Sequence, residues 1–298
     1  MKHHILPIVL LFANIPLCQA QSSVYISNAR NHFQAGDYAK AQGFLKVYEI
    51  ETGYKPERSL SMKIEKCIEL LKDMNETINE DEKMKIIIQL ESLNPNDPNV
   101  LSEKRLMENG DALQQLKLGI LYYKAQNFSN ALIWFMKSAD SGNSTAQYNL
   151  GYLFQNGIGT EKNMYQAFNW YRKAAEQNNA SAQNSLGYCY QNGLGTDTNF
   201  TDAVFWYRKA AELGNASAQN NLGFCCLTGG DGLEKNPEES FKWFTKAAEQ
   251  GNSNAQFNLG NCYQYGYGTD IDASLATNWY RKAAEQGNHD AEIILNDM

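Results

Sequence analysis

The chain has 298 residues, a net charge of −7 and 43% hydrophobic residues. Disorder is the wrong default for such a composition, and the acidic balance argues against electrostatic capture of nucleic acid or of an anionic membrane face. The length allows one or two ordinary domains or one elongated array.

Residues 1–20 read as an export signal. Met1-Lys2-His3-His4 is a short polar start, Ile5 to Leu17 is mostly apolar, and Cys18-Gln19-Ala20 ends in the small-residue pattern that a signal peptidase accepts. The apolar run is short for a bilayer span. An uncleaved anchor and a lipoprotein at Cys18 are the alternatives, the second disfavoured because Leu17 stands where a small residue belongs. Cleavage leaves no further apolar stretch of membrane-spanning length. The mature chain is therefore expected in the periplasm or secreted, without membrane insertion. It keeps an odd number of cysteines, Cys67, Cys189, Cys225, Cys226 and Cys262, which cannot all pair within one chain.

From residue 21 the patterning is helical. Ala29, Gly36, Tyr38, Ala41 and Leu45 have the order of a short helix–turn–helix unit. Ile64, Cys67, Ile68 and Leu71 form one apolar helical stripe. Ile86, Ile87, Leu90 and Leu93 form a second, closed by Asn94-Pro95-Asn96-Asp97-Pro98. Leu118, Gly119, Tyr122, Phe128, Ala131 and Phe135 repeat the first order, with Leu118 16 residues before Trp134.

Four longer copies follow. Leu150-Gly151, Leu186-Gly187, Leu222-Gly223 and Leu259-Gly260 recur at intervals of 36, 36 and 37 residues, each after an Ala-Gln pair. Trp170-Tyr171, Trp206-Tyr207, Trp243-Phe244 and Trp279-Tyr280 come next and lead into Lys-Ala-Ala-Glu. Each copy predicts a first helix, a Gly-containing turn such as Asn156-Gly157-Ile158-Gly159-Thr160, and a second helix. Ala167, Trp170, Tyr171 and Ala174 make an apolar stripe at i, i+3, i+4 and i+7. One pair cannot bury that stripe, so neighbours must stack.

The short copies around Ala29 and Gly119 resemble tetratricopeptide repeats. The long copies, with Ala-Gln-x-x-Leu-Gly, Gly-x-Gly-Thr and Trp-Tyr-Arg-Lys-Ala-Ala-Glu, resemble the Sel-one-like subgroup of that superfamily. The resemblance implies an all-α fold, a right-handed α-α superhelix of stacked antiparallel helix pairs, with a concave groove lined by first helices. It also implies adaptor work in multiprotein assemblies. The expected organisation is a signal over 1–20 and a divergent tetratricopeptide-like region over 21–108. Sel-one-like repeats then occupy 109–143, 144–179, 180–215, 216–252 and 253–288, with a capping helix over 289–298. One related exported subgroup is cysteine-rich, with a disulfide between the two helices of each repeat. No second helix of the long repeats carries a cysteine here, which puts that subgroup's β-lactam chemistry in doubt.

Reactive constellations are sparse. Only His32 and His289 remain after cleavage, which leaves a nucleophile without its base and a metal without its ligands; no catalytic residue, metal or cofactor is assigned. Gly157-Ile158-Gly159-Thr160 and its copies lack the preceding strand of a phosphate loop. Cys189, Cys225 and Cys262 occupy equivalent repeat positions, too far apart for a disulfide if neighbouring helices pack at about 8–10 Å, so they read as packed thiols. Sequons occur at Asn75, Asn127, Asn143, Asn179, Asn199 and Asn215; three of them are the same repeat junction and follow from its duplication. Arg172, Arg208 and Arg281 read as solvated or paired with repeat glutamates.

The face beside the Leu-Gly pair is the remaining candidate. Tyr148, Tyr152 and Gln155; Asn184, Tyr188 and Gln191; Asn220, Phe224 and Leu227; and Phe257, Asn261 and Gln264 are expected to point away from the second helices. Rings bury area and amides bond backbone, which suits an extended protein or peptide segment. The expected function is a non-catalytic interaction scaffold. A secreted effector acting on host proteins and an envelope hydrolase of β-lactams or peptidoglycan are the alternatives.

Overall fold

The computed structural model describes residues 25–52, 58–76, 80–108 and 110–297, so the expected signal over 1–20 lies outside the described residues. The chain forms two compact units, one through Gln126 and one from Asn127. Among the described residues the structure is helical, with a single β-bridge between Gly230 and Leu233.

The first unit comprises α1 (25–34), α2 (Tyr38–Thr52), α3 (Arg58–Glu76), α4 (Glu80–Leu93), α5 (Pro98–Glu108) and α6 (Ala112–Lys124). Helix α3 packs between α2 and α4. Its buried stripe runs through Leu60, Ile64, Cys67, Leu70 and Met74, whereas Ile68 is 37% exposed. The expected stripe thus lies on the right helix but is turned, because Ile68 stands 100° from Cys67 around the axis. A polar network holds the α4–α5 turn against the α1–α2 turn. Asn94 Nδ2 donates to Phe33 O at 2.6 Å and to the Tyr38 hydroxyl at 3.1 Å, and Tyr38 donates to the Asp97 carboxylate. Asp97 also caps α5 by accepting from Val100 N at 3.2 Å. Glu91 accepts from the Tyr122 hydroxyl and pairs with Lys104 at 2.7 Å, which ties α4 to α5 and α6.

The second unit comprises α7 (Phe128–Asp140), α8 (Ser144–Asn156), α9 (Met164–Glu176), α10 (Ala180–Asn192), α11 (Phe200–Glu212), α12 (Ala216–Thr228), α13 (Pro237–Glu249), α14 (Ser253–Tyr265), α15 (Ala273–Ala284) and α16 (His289–Asp297). Helices α8/α9, α10/α11, α12/α13 and α14/α15 are the repeat pairs; each second helix also packs on the first helix of the next pair. Every helix from α7 to α15 starts on an Asn or Asp cap whose side-chain oxygen accepts an N–H in the first turn. Asn127, Asn143, Asn179, Asn199 and Asn215 are among these caps, so five of the sequon asparagines have a folding role.

Within a pair, an aromatic ring lies on a glycine. A Cβ built at Gly151, Gly187, Gly223 or Gly260 would stand 2.5 to 2.8 Å from Tyr171, Tyr207, Phe244 or Tyr280 respectively. The rings are fully buried, whereas Trp170, Trp206, Trp243 and Trp279 are half-buried, each under a lysine ammonium one turn on. The tyrosine or phenylalanine, not the tryptophan, therefore fills the space between paired helices. Gly157, Gly193 and Gly266 end the first helices in left-handed conformation, with φ of 68°, 66° and 74°. This is the backbone demand behind the Gly-x-Gly-Thr segment.

Between pairs, a buried amide is the pin. Gln147, Gln183, Gln219 and Gln256 donate Nε2 to the carbonyls of Ala139, Ala175, Ala211 and Ala248, at 3.1 to 3.3 Å. Cys67, Cys189, Cys225, Cys226 and Cys262 are buried free thiols. Burial pushes Cys189, Cys225 and Cys226 up to about 11 and Cys262 up to about 12.

Two outcomes follow from this packing. Alanine in place of an interior helical glycine ordinarily gains about 1 kcal/mol, but overpacking against Tyr207 costs about 1–3 kcal/mol. Gly187→Ala should therefore lower the urea midpoint, and adding Tyr207→Leu should recover part of the loss; a gain from Gly187→Ala alone would contradict the ring contact. At pH 8 the four repeat thiols are neutral, so alkylation mapped by mass spectrometry should modify them in unfolded but not in native protein.

Candidate partner-binding face

The twelve expected site residues fall into three rows, set by their distance from the repeat glycine. Successive helical residues are 100° apart, so residues three before and four after the glycine stand within about 60° of it, while the residue just after it stands at a right angle. In three of the four long repeats that middle row clears the second-helix ring. Tyr152, Tyr188 and Phe224 are 41%, 48% and 49% exposed. In the last repeat Asn261 takes the place and accepts from the Tyr280 hydroxyl at 2.8 Å.

Of the flanking rows, Tyr148, Phe257, Gln155, Gln191 and Leu227 lean on the second helices rather than away from them. Tyr148 lies against Tyr171 and Phe257 against Tyr280, both with ring centroids 5.8 Å apart. Gln155 Oε1 accepts from the Tyr171 hydroxyl and Gln191 Oε1 from the Tyr207 hydroxyl, both at 2.7 Å. Where the ring is Phe244 and offers no hydroxyl, the residue is Leu227, packed into the same cluster. Gln264 finds Tyr280 already engaged by Asn261, and its Oε1 is buried without a hydrogen bond. Burial lifts the Tyr171 and Tyr207 phenols far above their ordinary range, so they stay protonated donors.

Bonds also run along the face. Asn221 Nδ2 donates to Asn184 Oδ1 at 3.0 Å, and Asn258 Nδ2 to Asn220 Oδ1 at 2.9 Å, joining adjacent first helices. The asparagines at 221 and 258 were not singled out from the sequence, although they recur beside the Leu-Gly pair. Helices α8, α10, α12 and α14 contain no Asp, Glu, Lys, Arg or His. Charges lie instead on second helices and turns. Arg208 pairs with Glu239 at 2.7 Å, linking α11 to α13 and holding the Glu239 carboxyl below its ordinary range. Arg172 bonds Asn169 at 3.2 Å. Among the described residues no three His, Cys, Asp or Glu side chains group as metal ligands, and no helix is long and apolar enough to cross a membrane.

The Sel1 repeat model matches residues 115–143, 144–179, 180–215, 216–252 and 253–288. The chain belongs to the Sel1 repeat family. The chain resembles the crystal structure of a Sel1 repeat protein from Oxalobacter formigenes, at 34% identity over 78% of this chain and 86% of that one, with a TM-score of 0.61. It shares the fold of a protective antigen from uropathogenic Escherichia coli strains that displays an SLR fold, at 23% identity over 92% of this chain and 63% of that one, also with a TM-score of 0.61. No curated protein matches the chain. The Sel1 fold is the right-handed α-α superhelix expected from the repeats.

One repeat departs from the bonding of the other three. Gln177, Gln250 and Gln286 donate Nε2 to the pin oxygens of Gln147, Gln219 and Gln256, each at 2.7 Å. The equivalent residue for Gln183 is Leu213, which is 55% exposed, and Gln183 Oε1 is buried without a partner. Leu213→Gln should supply that bond and raise stability by about 1 kcal/mol. A thermal melt showing no gain, or a loss, would mean that the pin gets nothing from its second partner.

Proposed function

We propose that the Sel1 array is a non-catalytic scaffold that holds a protein or peptide segment on the concave face formed by its first helices, in the periplasm or after secretion. A Sel1 array is a protein-interaction fold. The observation that carries the finer reading is the row of half-exposed rings at Tyr152, Tyr188 and Phe224 on helices without charge. Rings held by a rigid scaffold bury area on binding with little loss of side-chain freedom, which is why they anchor interfaces. The amides beside them are fixed by bonds inside the array and so are pre-organised for a ligand. The neutral, buried thiols favour a non-catalytic role, since a thiolate is the reactive form of cysteine. Placement outside the cytoplasm rests on residues 1–20.

The test is in-cell crosslinking followed by purification and mass spectrometry of the captured partner. Tyr152→Ala combined with Tyr188→Ala should abolish capture while circular dichroism stays unchanged, because neither side chain is buried. Capture that survives both substitutions places the interface elsewhere.

A further inference from the structure

We propose that the captured segment is an uncharged, proline-rich chain in polyproline II conformation, laid across the first helices with an apolar side chain against each of Tyr152, Tyr188 and Phe224. The inference rests on the capture reading above and names the chemistry of the occupant.

Charge is one ground. The helices that present the rings carry no ionisable residue except tyrosine and cysteine. A charged segment would shed water here and meet no counter-charge, a cost that a neutral segment does not incur. Neutral face and neutral ligand are complementary.

Spacing is another. The bonds from Asn221 to Asn184 and from Asn258 to Asn220 join α10 to α12 and α12 to α14, and Tyr148 on α8 bonds Ser185 on α10, so successive first helices are neighbours. At a helix-packing separation of about 8–10 Å, equivalent rings would stand that far apart. A polyproline II chain returns to the same face every third residue, after about 9 Å. A β-strand does so every second residue, after about 6.6 Å, and falls out of step by the second ring. The three-residue period keeps pace with all three.

Hydrogen-bond polarity points the same way. The carbonyl oxygens of Gln155, Asn184, Gln191 and Asn220 are engaged inside the array. What these amides offer a ligand is N–H, apart from a long 3.5 Å contact between Asn220 and Asn221. A polyproline II chain has no internal hydrogen bonds, so its carbonyls are open acceptors. Proline also removes the backbone N–H that would look for an acceptor on this face. A donor-rich surface is thus matched to an acceptor-rich, donor-poor chain.

Calorimetry on the purified protein tests this with acetyl-(Leu-Pro-Gln)4-amide as the probe. Three comparison ligands are the strand-phased acetyl-(Leu-Thr)6-amide, the charged acetyl-(Leu-Pro-Glu)4-amide and cellohexaose. The neutral three-residue-phased peptide should bind at least about tenfold more tightly than each, and Tyr188→Ala should weaken it about tenfold. Its affinity should change by less than about twofold between about 50 and about 500 mM salt, since no charge is there to screen. No binding of the probe, tighter binding of any comparison ligand, or indifference to Tyr188→Ala overturns the inference. If crosslinked partner capture still depends on Tyr152 and Tyr188, the capture reading survives that failure; if it does not, both fall.

Discussion

The contact on which the array depends is the one between a second-helix ring and a first-helix glycine. Tyr171, Tyr207, Phe244 and Tyr280 lie where a single Cβ would intrude, so the pair closes only if the first helix gives up helix propensity at that point. Once the ring is seated, its para position decides what stands four residues after the glycine. A hydroxyl brings Gln155 or Gln191, and a bare ring brings Leu227. The fourth repeat thus changes two residues far apart in sequence together, and neither leaves a buried polar atom unpaired. The last repeat solves the same demand with Asn261, at the expense of Gln264.

Between repeats the work passes to amides. A glutamine immediately before Tyr148, Asn184, Asn220 and Phe257 would be a poor choice in an ordinary core. Here Gln147, Gln183, Gln219 and Gln256 reach a carbonyl at the end of the preceding helix and occupy its second lone pair, the first being taken by a turn N–H. Their second partner is a glutamine at the end of the next second helix, present in three of four cases. The amide is therefore specified by helix termini rather than by packing. Asparagine caps do the same at helix starts, which is why Asn-x-Ser/Thr recurs at junctions without any need for a sugar.

What could be read in the sequence tracks what is periodic. The helix pairs and the packed state of the repeat cysteines were legible because each recurs from copy to copy. The lean of Tyr148 and Gln155 onto Tyr171 was not, since a residue 40° to 60° from a contact face serves either side and only the ring's height decides. In the first unit the periodic guide is missing. Tyr38 meets Asn94 and Asp97 across 56 and 59 residues of sequence, and Asn94-Pro95-Asn96-Asp97-Pro98 read only as a turn. Its polar side chains were chosen by a tertiary partner that no local pattern announces. Ile68 misled for the opposite reason, because four apolar residues at helical spacing fit two faces until α2 and α4 select one.

The repeat also separates charge from the proposed binding face. Lys137, Lys173, Lys209, Lys246 and Lys282 each lie over a tryptophan of their own second helix, with ammonium-to-ring distances of 4.0 to 5.4 Å. Each lysine stem shields half-buried indole while its head remains in water. Solubility is thereby supplied by one helix of the pair, and the other is released from supplying it. The first helices can then carry rings and amides alone without the array becoming an apolar sheet of surface. On the proposed reading of this face, a neutral surface cannot steer a partner from a distance, so selectivity would come from spacing and hydrogen-bond polarity at contact. Both are set by the stacking of identical units, the property that duplication of one helix pair hands down unchanged.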